Sequence, residues 1–247
     1  MGRRSSSFLL LIGSVASAQS FESLLPVGAK VIETADVSAI AKKPRVLVLW
    51  MVNPTRRVGT PESRTCSDEV NGDFWLGPTR LSLIDPAQKK TVNTIKITLA
   101  SADRDAGDEF MVPFRVPNTY YNVPNPDKEG WGTPHLLNLR DFTGDGIAAE
   151  FPLFIYDACG IASGSVFGYA VESDKAVQYP VLVLETGEKP RVEEWIEQVF
   201  SHKPLTPGNW RFTWRPGHGS EDIIDEDVSF DRVNQRFIEK QTIRQPK

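Results

Sequence analysis

The chain has 247 residues, 40% hydrophobic and 24% charged, a balance too apolar for a disordered chain and ordinary for a globular one. Its 32 acidic residues outnumber 28 basic ones for a formal net charge of −4, which argues against a nucleic-acid binder, since phosphate recognition needs concentrated positive charge. Two cysteines are too few for a disulfide-dense scaffold or an all-cysteine zinc site.

Residues 1–18 read as a secretory signal. Arg3 and Arg4 form a positive leader, Phe8 to Ile12 its most apolar part, and Ala16-Ser17-Ala18 supplies the small residues that signal peptidase requires. Cleavage leaves Gln19 first and, with both arginines gone, a more acidic chain. The apolar stretch falls short of the roughly 20 residues that span a bilayer. The expectation is a secreted or periplasmic protein with no transmembrane segment in its mature form. In an oxidising compartment Cys66 and Cys159 are expected to pair, closing a loop of about 90 residues and stabilising the fold by about 2–4 kcal/mol.

Residues 19–247 are expected to form one antiparallel, mostly β, sandwich-like domain. A weak helical segment at Ala35–Ala41 precedes Val46–Val52, which is apolar throughout, as in a strand buried on both faces. Thr79–Ile84 and Val92–Leu99 flank Asp85-Pro86-Ala87-Gln88-Lys89-Lys90, good hairpin-loop chemistry. Ile95, Ile97 and Leu99 alternate with Lys96 and Thr98, and Phe110, Val112, Phe114 and Val116 alternate likewise. Leu136–Arg140, Phe151–Tyr156, Val166–Val171 and Tyr179–Leu184 continue the series of strands. Pro190 then opens one amphipathic helix, with Val192, Trp195, Ile196, Val199 and Phe200 on a single stripe and Pro204 as its stop. Trp210, Phe212 and Trp214 alternate with Arg211, Thr213 and Arg215, and strands around Val228–Phe230 and Arg236–Thr242 end the chain. About ten strands against one or two helices is the pattern of a β domain.

Asp141-Phe142-Thr143-Gly144-Asp145-Gly146 carries the sharpest chemistry. Calcium takes six to eight oxygens at about 2.3–2.6 Å, and oxygens at alternate positions of a tight turn converge on one point. Asp141, Thr143 and Asp145 supply such oxygens, and the carbonyl of Ile147 is a fourth. The run resembles the D-x-[DN]-x-D-G loops of EF-hands, dockerins and FG-GAP or VCBS-type repeats, and its flanking strands favour the FG-GAP setting. The resemblance covers roughly twenty residues. It departs from the pattern at Ala149, the ninth place, and at Pro152, the twelfth, so Glu150 is the only substitute for the missing bidentate glutamate. There is also one copy where those modules recur. A calcium site here would be weak, about 10⁻⁴–10⁻³ M. The competing reading is an Asx-type turn in which Asp141 and Asp145 bond backbone amides and the glycines take positive φ. More loosely, the chain resembles exported bacterial proteins with a glycine-aspartate loop before an apolar strand, a likeness that implies no activity.

Other candidates are weaker. The acidic runs Asp103–Glu109 and Glu221–Asp227 read as a solvated turn and a charged hairpin tip. Trp210 and Trp214 would bind a sugar ring if exposed, although Arg211, Thr213 and Arg215 make a natural solvent face and leave the aromatic stripe to the sheet's core. His135, His202 and His218 form no metal or catalytic spacing, and Ser163-Gly164-Ser165 is not a nucleophile elbow. The expected function is an exported non-catalytic binding or structural module with a calcium loop. The alternative is an extracellular carbohydrate-binding or carbohydrate-active protein, its partner a glycan or cell-surface component.

Overall fold

A computed structural model describes residues 19–59, 72–98, 114–115, 121–124, 131–133, 135–157, 161–216 and 221–245. The leader, Cys66, Cys159, Phe110, Val112, the Asp103–Glu109 run and His218 lie outside the described residues. In chain order the elements are α1 (Gln19–Glu22), β1 (Ala29–Asp36), α2 (Ser38–Ala41), β2 (Val46–Val52), β3 (Thr55–Gly59), β4 (Gly72–Leu76), β5 (Thr79–Asp85) and β6 (Lys90–Lys96). Then follow β7 (Phe114–Arg115), β8 (Tyr121–Pro124), β9 (Trp131–Thr133), β10 (Glu150–Asp157), β11 (Ile161–Ala170), β12 (Lys175–Tyr179) and β13 (Val181–Glu185). The last are β14 (Arg191–Glu193), β15 (Ile196–Glu197), β16 (Asn209–Trp214), β17 (Ile223–Asp231) and β18 (Arg236–Arg244). The fold is mostly β and antiparallel, as the alternation predicts.

The first sheet runs β1-β2-β5-β6. Because side chains alternate along a strand, Leu47, Leu49 and Met51 of β2 face the main core. Val46, Val48 and Trp50 face a second cluster under Phe21 of α1. The uniformly apolar run is thus buried on both faces, as expected. The expected helix at 35–41 is a single turn, α2, closed by Lys42 at φ 55°. A register shift between Val31 and Glu33 re-aims Glu33. Its carboxylate accepts the N–H groups of Leu136 and Leu137 at 2.9 and 3.0 Å. Leu136–Arg140 is therefore not a strand: two of its amides are spent on Glu33, and only Arg140 bridges to Glu150.

The second sheet runs β10-β11-β12, with β15 also on β11. The side-chain amide of Asn93 on β6 exchanges two 2.9 Å hydrogen bonds with the backbone of Ala176 on β12, fastening the first two sheets together. The third sheet runs β14-β13-β18-β17-β16, with β13 and β18 its one parallel pair. Pro180 divides the expected Tyr179–Leu184 strand, since proline has no N–H to give a ladder. There the chain passes from the second sheet into the third. Two small sheets, β3-β4-β7 and β8-β9, complete the described set.

The expected helix from Pro190 to Phe200 is absent. Val181, Leu182 and Val183 of β13 pair with Glu193, Val192 and Arg191. Ser163 and Gly164 pair with Glu197 and Ile196. Gln198 turns back at φ 63° into the short 3-10 turn Val199–Ser201. The apolar residues still go inward, apart from Val192, but distant strands take the hydrogen bonds a helix would have made.

The core closes around Trp210, whose ring packs on Phe142, Phe200 and Phe237 at centroid distances of 6.0, 5.5 and 5.9 Å. Its indole N–H donates to the carbonyl of His202 at 3.0 Å. The Glu221–Asp227 run is no hairpin tip: β17 begins at Ile223, so alternate acids take opposite faces. Asp225 and Asp227 point outward to Arg244 and Arg211, whereas Glu226 points in.

Candidate functional site

The Asp141–Glu150 loop folds around its own carboxylates. Asp141 accepts from Gly144 (2.6 Å) and Asp145 (3.1 Å) through one oxygen and from Gly146 (2.8 Å) through the other. Asp145 accepts the N–H of Ile147 at 2.7 Å. Glu150 reaches under the loop to accept from Phe142 at 2.9 Å and Thr143 at 3.4 Å. Six successive backbone N–H groups, 142 to 147, thus end on three acids. That is the Asx-turn reading of the motif, extended by Glu150, and it lets the loop close without a metal.

Two close approaches fix the loop in place. Gly144 has φ +75°, and a Cβ there would stand 2.6 Å from the carbonyl of Pro207, so only glycine fits against that turn. Arg232, from the turn joining β17 and β18, donates to the carbonyl of Gly144. Gly168 lies opposite Glu150, and a Cβ there would meet the carbonyl of Ala149 at 2.7 Å. Gly168→Ala is expected to push the Ala149–Glu150 backbone off β11 and cost about 1–3 kcal/mol. Amide chemical shifts of 141–150 should move; shifts confined to β11 would show that the loop yields freely.

Glu150 is 2% exposed, and burial together with repulsion from Asp145 and Asp141 pushes its carboxyl up to about 8. Thr143 is 5% exposed, and its hydroxyl has no hydrogen-bond partner within the protein. Beside the loop opens a cleft of about 200 Å³. Thr143, Asp145 and Glu150 form one wall; Tyr169 and the 170–172 segment form the second; Tyr179, Phe230 and Arg232 form the third. The tyrosine hydroxyls are both held protonated to higher pH, chiefly by burial, Tyr169 up to about 12.

The residues expected to bind calcium are therefore partly gathered. Asp141, Asp145 and Glu150 share the loop, but both oxygens of Asp141 already hold amides, and the carbonyl of Ile147 accepts from Ala149 at 3.0 Å. Among the described residues no three His, Cys, Asp or Glu side chains are placed to hold a metal ion. Trp210 is buried and cannot present a face to a sugar; Trp214 is half-buried and donates its N–H to Glu226 at 2.6 Å. His135 is exposed, while Ser163 and Ser165 are buried in β11.

Sequence reasoning missed a pair of acids on the inner face of the third sheet. Glu226 and Glu239 are 1% and 0% exposed and lie close enough to act on each other's charge. Trp214 and Gln241 donate to Glu226, and Gln241 also donates to Glu239 at 2.8 Å. The remaining oxygen of each has no donor among the protein's other groups, so one proton shared between them completes the set. Inward alternation of Glu226 with Ile224 and Val228 was the available signal.

Among the described residues no helix is long and apolar enough to cross a membrane. Compared with family models, with curated proteins and with solved structures, the chain finds no match.

Proposed function

We propose that the protein is an exported, non-catalytic binding or structural module whose working corner is the Asp141–Glu150 loop, with a hard cation such as calcium as the loop's ligand. The observation that carries this reading is the buried, partnerless hydroxyl of Thr143. It stands at the alternate position between Asp141 and Asp145, where a calcium loop places its second oxygen. A cation would give that hydroxyl a partner and relieve the repulsion that Asp145 and Asp141 exert on Glu150. Asp145, the Thr143 hydroxyl, the Asp141 oxygen that accepts only Gly146 and the carbonyl of Ile147 would hold it, the last two through their remaining lone pairs. This set has few acids, which is why three gathered acidic ligands are not needed and why the affinity is weak, about 10⁻⁴–10⁻³ M. Bound there, the ion would stiffen the corner at which β10 meets the turns preceding β16 and following β17. The carbohydrate reading draws less support, because burial of Trp210 removes half of its aromatic platform.

A calcium titration followed by thermal melting tests the proposal. At a tenfold excess over Kd the native state gains about 1.4 kcal/mol, a rise of about 3–6 °C for a chain of this size. Asp145→Ala should abolish the rise, and magnesium should give less of it. Identical melts with and without millimolar calcium would leave the loop an Asx turn and remove the cation from the function.

A further inference from the structure

We propose that the cleft beside the loop is a binding site for a small alkylammonium ligand, its charged head among Asp145, Glu172 and Thr143 and its hydrocarbon body against Phe230, Tyr179 and Val171. The inference goes beyond the calcium reading, because most of these walls belong to two hairpins rather than to the loop.

Charge is the first argument. The cleft carries the carboxylates of Asp145 and Glu172 and the carboxyl of Glu150, while the one basic group among its described lining residues, Arg232, is turned to the carbonyl of Gly144. The potential inside therefore favours a cation. Asp145 stands on the loop and Glu172 on the β11–β12 hairpin, so the acids of the cleft belong to separate walls. An ammonium spreads three donors over hydrogen bonds of about 2.7–3.2 Å, which suits acids placed on separate walls. The hydroxyl of Thr143 lacks a partner in the protein and adds a neutral acceptor to the same wall.

Shape is the second argument. At about 200 Å³ the cleft is smaller than the roughly 300–1,000 Å³ of drug-sized sites, so it takes one compact ligand. The rings of Tyr169, Tyr179 and Phe230 line it, and Val171 beside them is 43% exposed. Acids and apolar groups side by side in one cleft match a cationic head on an alkyl tail. Aromatic walls also attract ammonium groups directly.

Isothermal titration of the full chain with n-hexylammonium chloride should show saturable binding at millimolar concentration, with hexanoate and n-hexanol showing none. Glu172→Gln, at an exposed turn position, should weaken binding by about tenfold. Val171→Lys should abolish it by placing a competing ammonium at the mouth. Calcium-dependent melting should survive Glu172→Gln and be lost in Asp145→Ala, so the cation-loop reading and this one fail separately. Equal binding of hexanoate, undiminished binding by either cleft variant, or no saturable binding at all overturns the proposal.

Discussion

Glu239→Gln will raise the melting temperature at alkaline pH and change it little near pH ~5. Glu239 is fully buried on β18, and burial and the neighbouring Glu226 both disfavour its ionised form, so its carboxyl titrates above the ordinary glutamate value of 4.5. Glu226 shifts the same way, chiefly through burial. Above pH 4.5 the unfolded chain has released both protons while the native pair still holds the one it shares. The native state then binds more protons, so stability falls as pH rises and the loss is complete only above the raised native value. Each such proton costs about 1.4 kcal/mol per pH unit, up to about 4 kcal/mol between pH ~5 and ~8. Glu150, pushed up to about 8, adds to the same slope. The glutamine amide can take the place of the shared proton, donating to Glu226 while its oxygen still accepts from Gln241. The slope of melting temperature against pH should therefore flatten in Glu239→Gln. An unchanged slope would mean that the pair is ionised in the native state.

Acid pH acts through different groups. Asp174, Asp85, Asp225 and Asp231 are all held below the usual carboxylate value of 3.8, Asp174 chiefly by its hydrogen bonds to Arg45. Their contribution is present above 3.8 and is lost as pH falls through the native values. The two sets together place maximum stability between the ordinary aspartate and glutamate values of 3.8 and 4.5.

Arg45→Met is the second substitution with a large expected effect. Arg45 precedes β2 and is buried beneath two acids from distant parts of the chain. Its guanidinium holds Asp174 through two parallel bonds of 2.9 and 2.8 Å and Asp85 through one of 2.7 Å. Asp174 also accepts from Lys43 at 2.7 Å and from the Tyr169 hydroxyl at 3.0 Å. The cluster therefore clasps the first sheet, at the ends of β2 and β5, to the β11–β12 turn that forms one wall of the cleft. Methionine fills the volume but takes the guanidinium from both acids, leaving Asp85 with the amide of Gln88 and Asp174 with Lys43 and Tyr169, at a cost of about 3 kcal/mol, or about 6–12 °C in melting temperature. A double-mutant cycle with Asp174→Asn should give losses well short of additive, because both changes break the same contact. Fully additive losses would show that the clasp contributes nothing beyond packing.

The class of the fold and most of its strands follow from local pattern alone. Val46–Val52 is β2 to the residue, and Asp85–Lys90 turns the chain between β5 and β6. Both patterns are local, an apolar period and turn-forming residues, and they persist wherever the strand is placed. The Asp141 motif was legible for the same reason: all the amides that Asp141 and Asp145 accept lie within five residues of them.

The tertiary structure decided everything that depends on which strands become neighbours. The stripe from Val192 to Phe200 has helical spacing, yet β13 and β11 offer their edges to that segment and fix it as extended chain. Trp210 and Trp214 looked equivalent in sequence, but the main core covers one ring completely and leaves the other half open. Glu150 belongs to the motif in sequence, but its place under the loop depends on Gly168, which lets its backbone approach β11. Arg45 and Asp174 lie 129 positions apart, and no local pattern joins them. The partners of a charged or paired group are set by sheet order and register, which depend on long-range contacts; the preference to be a strand or a turn is set by the residues themselves.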